Sequence, residues 1–411
     1  MLKFIYDILS EGGERLERTI LHCDCNGFFA SVECALNPSL KDVPMAVGGS
    51  QEARHGIILA KNELAKKYNI QTAETIYSAK KKCPSLVIVP PHHDLYQEYS
   101  ERVNKIYSDY TDLVERFGID ESWLDVTGSK QLFGSGEEIA AILRKRIREE
   151  IGITISVGVS FNKVFAKLGS DYKKPDATTI ISRENYKDIV FPLPVRDLLF
   201  VGKRTAETLG RMGIKTIGDL AGSDEKVLHK LLGKAGTTLY HYARGEDNSP
   251  VDPHANDEVK SVGNGMTFRR DLCGERDIMC GISHLSESIA ARMRQKGVKC
   301  TVVQVTIKDP DLISIVRQEK LDHPTNLAKE ITQKAMEIIR HNWNLKKPIR
   351  MLTVTGGGII GEDAQTQISF FDDENESSKR ESLEKTLDAI RSKYGKDAVI
   401  NANILENDLG I

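Results

Sequence analysis

Two acidic residues, Asp120 and Glu121, stand side by side in "FGIDESWLDVTG", residues 117–128, with Asp125 four residues beyond Glu121. Read as a continuous strand, the segment would point the two acids to opposite faces. A tight turn at the pair would bring them together, and converging carboxylates repel unless a cation lies between them, most often a divalent metal ion. The competing reading is a solvated hairpin tip, where Asp and Ser are ordinary turn residues. Another acid, Asp24, lies in "TILHCDCN", residues 19–26, between Cys23 and Cys25.

The pattern around these residues shows what must carry them. Residues 19–26 read as a buried strand, with the two cysteines in the core on the face opposite Asp24. "GFFASVECALNP" then switches to a helical period, with Phe29, Val32 and Leu36 on one face, and stops at Pro38. Ser135 and Glu138 form a capping box ahead of an apolar stripe at Ile139, Leu143 and Ile147. The alternating strand "ITISVGVS" and the helix "NKVFAKLGSDY" follow, so a sheet backed by helices is expected. From about residue 182 short helices take over, and "LLFVGKRTAETLGRMGIKTIGDLA" reads helix, glycine turn, helix. Beyond "ARGEDNSPVDPHANDE", a linker by composition, the order becomes strand, helix around 276–296, strands at 299–307 and 311–319, helix at 325–342 and a last strand. That βαββαβ order predicts an α+β module with one sheet face free.

At 411 residues the chain requires several domains, and its 40% hydrophobic and 28% charged residues describe a water-soluble globular protein. No apolar run approaches the roughly 18 residues of a membrane span, and no signal peptide is legible, so a cytoplasmic protein without a membrane partner is expected. The seven cysteines are scattered and lack zinc spacing, which points to reduced, packed thiols. No P-loop motif is present, and His92 and His93 in "PPHHD" read as surface loop residues. Net charge is only −2, but residues 259–361 carry 17 Lys and Arg against 10 Asp and Glu, a balance of +7. Residues 362–411 carry 6 against 12, a balance of −6. A basic module for phosphate contact followed by a solvated acidic tail fits this division.

"ILHCDCNGFFASVE", "GIDESWLDVTG" and "SVGVSFNKVFAKLGSDYKKP", in this order and spacing, resemble Y-family DNA polymerases, in particular the bacterial DNA polymerase IV branch. The likeness continues through "ARGED" and "KSVGNGMTFRRDL" and covers residues 18–371 or so. It implies an α+β multidomain, right-hand polymerase. The N-terminal extension would be 1–17, the palm 18–27 and 92–181, the fingers 28–91, and the helix-hairpin-helix thumb 182–245. A linker at 246–258, a βαββαβ little finger at 259–361 and an acidic tail at 362–411 would complete it.

The resemblance also implies roles. Asp24, Asp120 and Glu121 would be catalytic and would hold two Mg²⁺ ions, with the Cys25 carbonyl as a further ligand. Phe29 matches a steric gate against the ribose 2′-hydroxyl, with core packing as a compatible alternative, and Phe28 would pack against the nucleotide or the palm. Lys174 matches a lysine on the triphosphate. Lys66 falls where many members carry an Arg, Glu63 where they carry a Tyr, and Asn26 replaces a second Asp. Gly202 and Lys203 would meet a DNA phosphate through backbone N–H groups. Gln367, Ile368, Ser369, Phe370 and Phe371, in "AQTQISFFDDENE", resemble a sliding-clamp-binding peptide; the alternative is that residues 362–411, with the helical-looking "SLEKTLDAIRSKYG", fold back and bury both rings. The implied function is error-prone, template-directed translesion synthesis by a monomer on primer-template DNA with dNTPs. A DNA- and clamp-binding scaffold of the same fold, without synthesis, is the alternative.

Overall fold

The strand "ILHCDC" is buried along its whole length, which suits only the middle of a sheet, and it occupies that place in the computed structural model. The structure describes residues 17–50, 54, 56–362, 364, 374–395, 398–400, 402 and 408–411. The chain divides into two compact units, Met1–Gly48 with Ile57–Asp257, and Gly49–Gly56 with Glu258–Ile411.

In the first unit β1 (Ile20–Cys25) lies between β6 (Glu121–Asp125) and β7 (Ile155–Ser160), antiparallel to both. With β5 (Val114–Arg116) and β8 (Thr178–Ile181) the order is β5-β6-β1-β7-β8. A second sheet, β3-β2-β4, is built from β2 (Met45–Gly48), β3 (Ile58–Lys61) and β4 (Val87–Val89). Helices α1 (Phe28–Leu36), α2 (Glu63–Lys66) and α3 (Ile76–Lys82) accompany it. Helices α4 (His93–Ser108) and α5 (Gly136–Arg146) bring Tyr96, Val103, Tyr107, Ile139 and Leu143 into one core with Leu21, Leu124 and Val157. The capping box at Ser135 and Glu138 is formed.

Helix α6 (Lys163–Tyr172) lies almost directly on β7. A Cβ at Gly158 would come within 1.9 Å of the Ala166 carbonyl oxygen and 2.5 Å of the Ser170 nitrogen, so the approach requires glycine. Beyond it, α7 (Lys203–Arg211), α8 (Ile217–Ala221), α9 (Glu225–Leu232) and α10 (Lys234–Ala243) enclose a core of Leu209, Ile217, Leu220, Leu228 and Leu239.

The segment after α10, a linker by composition, is laid against the sheet. The Glu115 carboxylate accepts from the Asp252 amide at 2.8 Å and from Lys163 at 2.6 Å, Arg18 donates to the Ser249 carbonyl, and Val251 is buried.

The second unit has the expected order: β9 (Val262–Leu272), α11 (Gly274–Gln295), β10 (Val298–Lys308), β11 (Ser314–Thr325), α12 (Ala328–Asn342) and β12 (Ile349–Gly357). The strands lie β11-β10-β12-β9, all antiparallel, and a short β13 (Ile360–Gly361) pairs with the start of β10. Val303, Val305, Ile307, Leu352 and Val354 alternate into the core beneath the helices, and the residues between them on β10 and β12 are only partly buried.

The acidic tail departs from expectation. Its helix α13 (Glu374–Tyr394) is docked rather than solvated: Arg294, 5% exposed, pairs with Glu384 and with Asp388, and Lys299 reaches Glu381 at 2.7 Å. The tail's charge is used against the basic module of its own chain. Near the C-terminus the Leu409 carbonyl accepts from the Arg269 amide at 2.9 Å, and the Leu409 side chain enters the core. The clamp-like peptide Gln367–Phe371 lies outside the described residues.

Candidate active site

Strand register brings the first two acids together. Asp24 and Glu121 are Cα partners across β1 and β6, and the Cys25 amide donates to the Asp120 carbonyl at 3.0 Å. The reversal takes in Gly118 to Asp120, with the Phe117 amide donating to the Glu121 carbonyl at 3.0 Å. Asp125, at the other end of β6, caps a separate turn by accepting from Thr127.

Two ammonium groups serve as counter-ions. Lys167 Nζ lies 2.8 Å from Glu121 Oε2, 3.6 Å from Asp24 Oδ2 and 3.4 Å from Asp171. Lys174 Nζ lies 2.7 Å from both Asp24 Oδ2 and Asp171 Oδ1. Burial pushes the Asp24 carboxyl up despite both lysines, and burial with the charge of Glu121 raises Asp120. Burial works the same way on Glu121, but His22 and Lys167 outweigh it and hold this acid below its ordinary value. Both ammoniums stay above their ordinary value, because the surrounding acids overcome the cost of burial.

Among the described residues no three His, Cys, Asp or Glu side chains converge closely enough to hold a metal ion as they stand. The donor chemistry nevertheless fits a hard divalent cation: the Asp24 and Glu121 carboxylates share the Lys167 ammonium and already attract positive charge. The structure thus joins Asp24 and Glu121 and leaves the Asp120 carboxylate beside them.

Lys167, Asp171, Ser170 and His22 escaped the sequence reading. Lys167, Ser170, Asp171 and Lys174 are spaced three or four apart in "KLGSDYKK", a helical-face signal that was present. His22 is fully buried, with Nδ1 2.8 Å from Ser170 Oγ and Nε2 3.4 Å from Glu121 Oε2. Asn26 uses both halves of its amide: Nδ2 donates to Ser156 Oγ, and Oδ1 accepts from the Asp176 amide and Thr154 Oγ1.

Phe29 is half-buried, and its ring stacks on Tyr96 with centroids 4.1 Å apart and planes 13° from parallel. Phe28, expected against the nucleotide or the palm, is only 3% exposed and its ring joins the core of Leu21, Cys23 and Tyr96. Both histidines are exposed and His92 lies outside the helix, as expected of surface loop residues, but both are engaged. His92 Nδ1 lies 2.8 Å from Glu33 Oε1, and His93 opens α4 with its ring edge-on to Phe29, because the apolar contacts of α4 draw its first turn against α1. Lys66 and Glu63 are both more than half exposed and pair with each other at 3.5 Å. Gly202 caps α7 with open space around it, and Lys203 is 80% exposed.

Comparison with known proteins agrees with this arrangement. Residues 23–171 match the impB/mucB/samB family, 259–370 its C-terminal domain, and 196–247 the thumb domain of DNA polymerase-iota. The chain is 48% identical to a DNA polymerase IV of Acetivibrio thermocellus, over 96% of this chain and 99% of that one. It is 39% identical to a DNA polymerase IV of Moorella thermoacetica, over 93% and 95%, and 35% identical to DNA polymerase IV 1 of Bacillus subtilis, over 95% and 94%. A solved Y-family DNA polymerase chimera superimposes with a TM-score of 0.73 at 25% identity, covering 83% of this chain and 99% of the other. Likeness of this extent, in sequence from end to end and in fold, means that the chain belongs to the Y family of DNA polymerases, in its bacterial DNA polymerase IV branch, and is a DNA-directed DNA polymerase.

Proposed function

We propose that the chain extends a primer 3′ end on damaged as well as intact templates, by phosphoryl transfer assisted by two Mg²⁺ ions. The observation that carries this reading is the pairing of Asp24 with Glu121 at the sheet end, with the ammoniums of Lys167 and Lys174 as their counter-ions. In it Asp24, Asp120, Glu121 and the Cys25 carbonyl would hold the ions. When bound, such ions lower the pKa of the attacking hydroxyl and neutralise the triphosphate. The residues themselves supply position and charge. Lys174, a counter-ion of Asp24 here, is the cation for the triphosphate, as a point charge suited to phosphate. Lys66, exposed on α2, adds a second and less directional cation, because an ammonium lacks the bidentate fork of an Arg. Phe29 excludes the ribose 2′-hydroxyl. The Gly202 and Lys203 amides at the start of α7 meet a DNA phosphate, and the partly buried sheet face of the second unit offers a surface to the duplex.

Gln367, Ile368, Ser369, Phe370 and Phe371 complete the reading from sequence: a peptide that a sliding clamp would hold, raising the local concentration of a monomeric enzyme at the primer. The test is primer extension with intact and lesion-bearing templates, comparing the wild type with Asp24→Asn and Glu121→Gln. Each variant is expected to lose at least roughly 10³-fold in rate, about 4 kcal/mol, while still binding primer-template. Near-normal extension by either would remove the assignment. A wild type that binds DNA without extending it would make the chain a scaffold.

A further inference from the structure

Glu33 is a carboxylate in an apolar place. It lies on α1, one turn beyond Phe29, with its side chain 7% exposed, and Oε1 accepts two hydrogen bonds: from the Tyr96 hydroxyl at 2.6 Å and from His92 Nδ1 at 2.8 Å. Burying a charge there is costly, and an apolar side chain would fill the same space at less cost. What the carboxylate does is fix Tyr96. That ring is wholly buried and has only two side-chain torsions; a short charge-assisted bond at its far end removes its remaining freedom. Burial and the adjacent carboxylate also hold the phenol well above its ordinary pKa, so it remains a donor.

Phe29 lies face to face on this fixed ring. The His93 ring stands edge-on to both, at 5.8 Å from each and 84° and 83° to their planes, and Phe28 meets Tyr96 from the core side. The plane of Phe29 is therefore set by a chain of contacts running from His92 through Glu33 to Tyr96. A steric gate works by a clash whose energy changes steeply over a few tenths of an ångström, so the gate is only as selective as its support is rigid.

We propose that Glu33, together with His92 and the Tyr96 hydroxyl, is a positioning network for sugar selection: it holds the Phe29 ring where a ribonucleoside triphosphate collides and a deoxyribonucleoside triphosphate does not. The proposal rests on the reading of Phe29 as the gate. A merely structural brace between α1 and α4 would, when weakened, lower stability and the use of both sugars alike. A positioning network changes their ratio.

The experiment measures kcat/KM for a matched dNTP and its rNTP, with thermal melts to confirm folding. The full-length variants are Tyr96→Phe, Glu33→Gln, His92→Ala, His92→Gln and Phe29→Ala. Phe29→Ala is the reference, expected to raise the rNTP-to-dNTP ratio by about 10²-fold. Tyr96→Phe keeps the stacked ring and loses only its anchor; it and Glu33→Gln are expected to raise the ratio about fivefold to twentyfold, with dNTP use within about threefold of wild type. His92→Ala gives a smaller rise, and His92→Gln, which keeps a donor, returns the ratio toward wild type. If Phe29→Ala shifts the ratio and Tyr96→Phe and Glu33→Gln do not, or if they lower both sugars in parallel, the network is structural and the proposal fails alone. If Phe29→Ala leaves the ratio unchanged, the gate reading fails and the network falls with it.

Discussion

Lys167→Met removes one positive charge from between two acids and keeps the length of the side chain. The ammonium lies 2.8 Å from Glu121 and 3.6 Å from Asp24, and its side chain is 15% exposed. At an effective dielectric constant of about 20 these separations correspond to roughly 6 and 5 kcal/mol of attraction, most of which repays the cost of burying the charges. Removing one partner of a buried pair typically costs about 3–5 kcal/mol, because the other charge is left uncompensated. Here Lys174 remains on Asp24, and Glu121 is 24% exposed, so water can relieve part of the loss. A figure of about 2–3 kcal/mol follows, or roughly 5–10 °C in Tm for a unit of this size. A divalent cation supplies the missing charge, so Mg²⁺ should raise the Tm of the variant more than that of the wild type. Differential scanning calorimetry of the full chain, in EDTA and in millimolar Mg²⁺, measures both quantities. A variant that melts within about 1 °C of wild type in EDTA and gains no more from Mg²⁺ would refute the view that Lys167 holds the place of a metal charge.

Burial holds the His22 imidazole down at about 4 from an ordinary 6.5. The unfolded chain therefore takes up a proton across that window that the folded chain refuses, and stability falls by about 3 kcal/mol as pH drops through it. The term appears as the difference between urea melts of wild type and His22→Phe, and a flat difference from pH 7 to 4 would exclude it. Lys66→Ala is expected to raise KM for dNTP and Lys66→Arg to leave it equal or lower; an unaltered KM in the alanine variant would mean that the side chain points elsewhere. Arg294→Ala leaves Glu384 and Asp388 without their common cation, at a cost of about 3 kcal/mol, and should speed amide exchange in α13 about 10²-fold. Exchange as slow as in the wild type would show that apolar contacts hold the helix instead.

The framework of both units was legible because burial writes itself into periodicity. "ILHCDC" admits no exposed face, the capping box marks the start of α5 to the residue, and the βαββαβ order of the second unit follows from alternating strands and two amphipathic helices. What escaped depends on pairs distant in sequence. The contact of Gly158 with Ala166 and Ser170, which brings α6 onto the sheet, leaves only two unremarkable glycines in the sequence, Gly158 and Gly169. The segment after α10 has the composition of a linker because several of its contacts are made by backbone groups, as where the Asp252 amide meets Glu115. The tail's acids read as solvated because their partners, Arg294 and Lys299, lie some 80 to 95 residues earlier.

The departures from the family pattern show the same division between what a residue type announces and what its neighbours make of it. Asn26, standing where a second Asp is common, reads as a loss of negative charge near Asp24. In the fold it is a strut. Its nitrogen donates to Ser156 on β7, and its oxygen accepts from the amide of Asp176, two residues past Lys174. A carboxylate could accept from Asp176 and from Thr154 but could not donate, so the amide alone closes this network without asking Ser156 to turn its hydroxyl. The substitution therefore bears on where Lys174 is held as much as on how many negative charges the site carries. Glu63 and Lys66 differ in kind: they pair with each other at 3.5 Å on an exposed helix turn. Of the three departures, Asn26 is built into the scaffold of the site, whereas Glu63 and Lys66 lie exposed on α2.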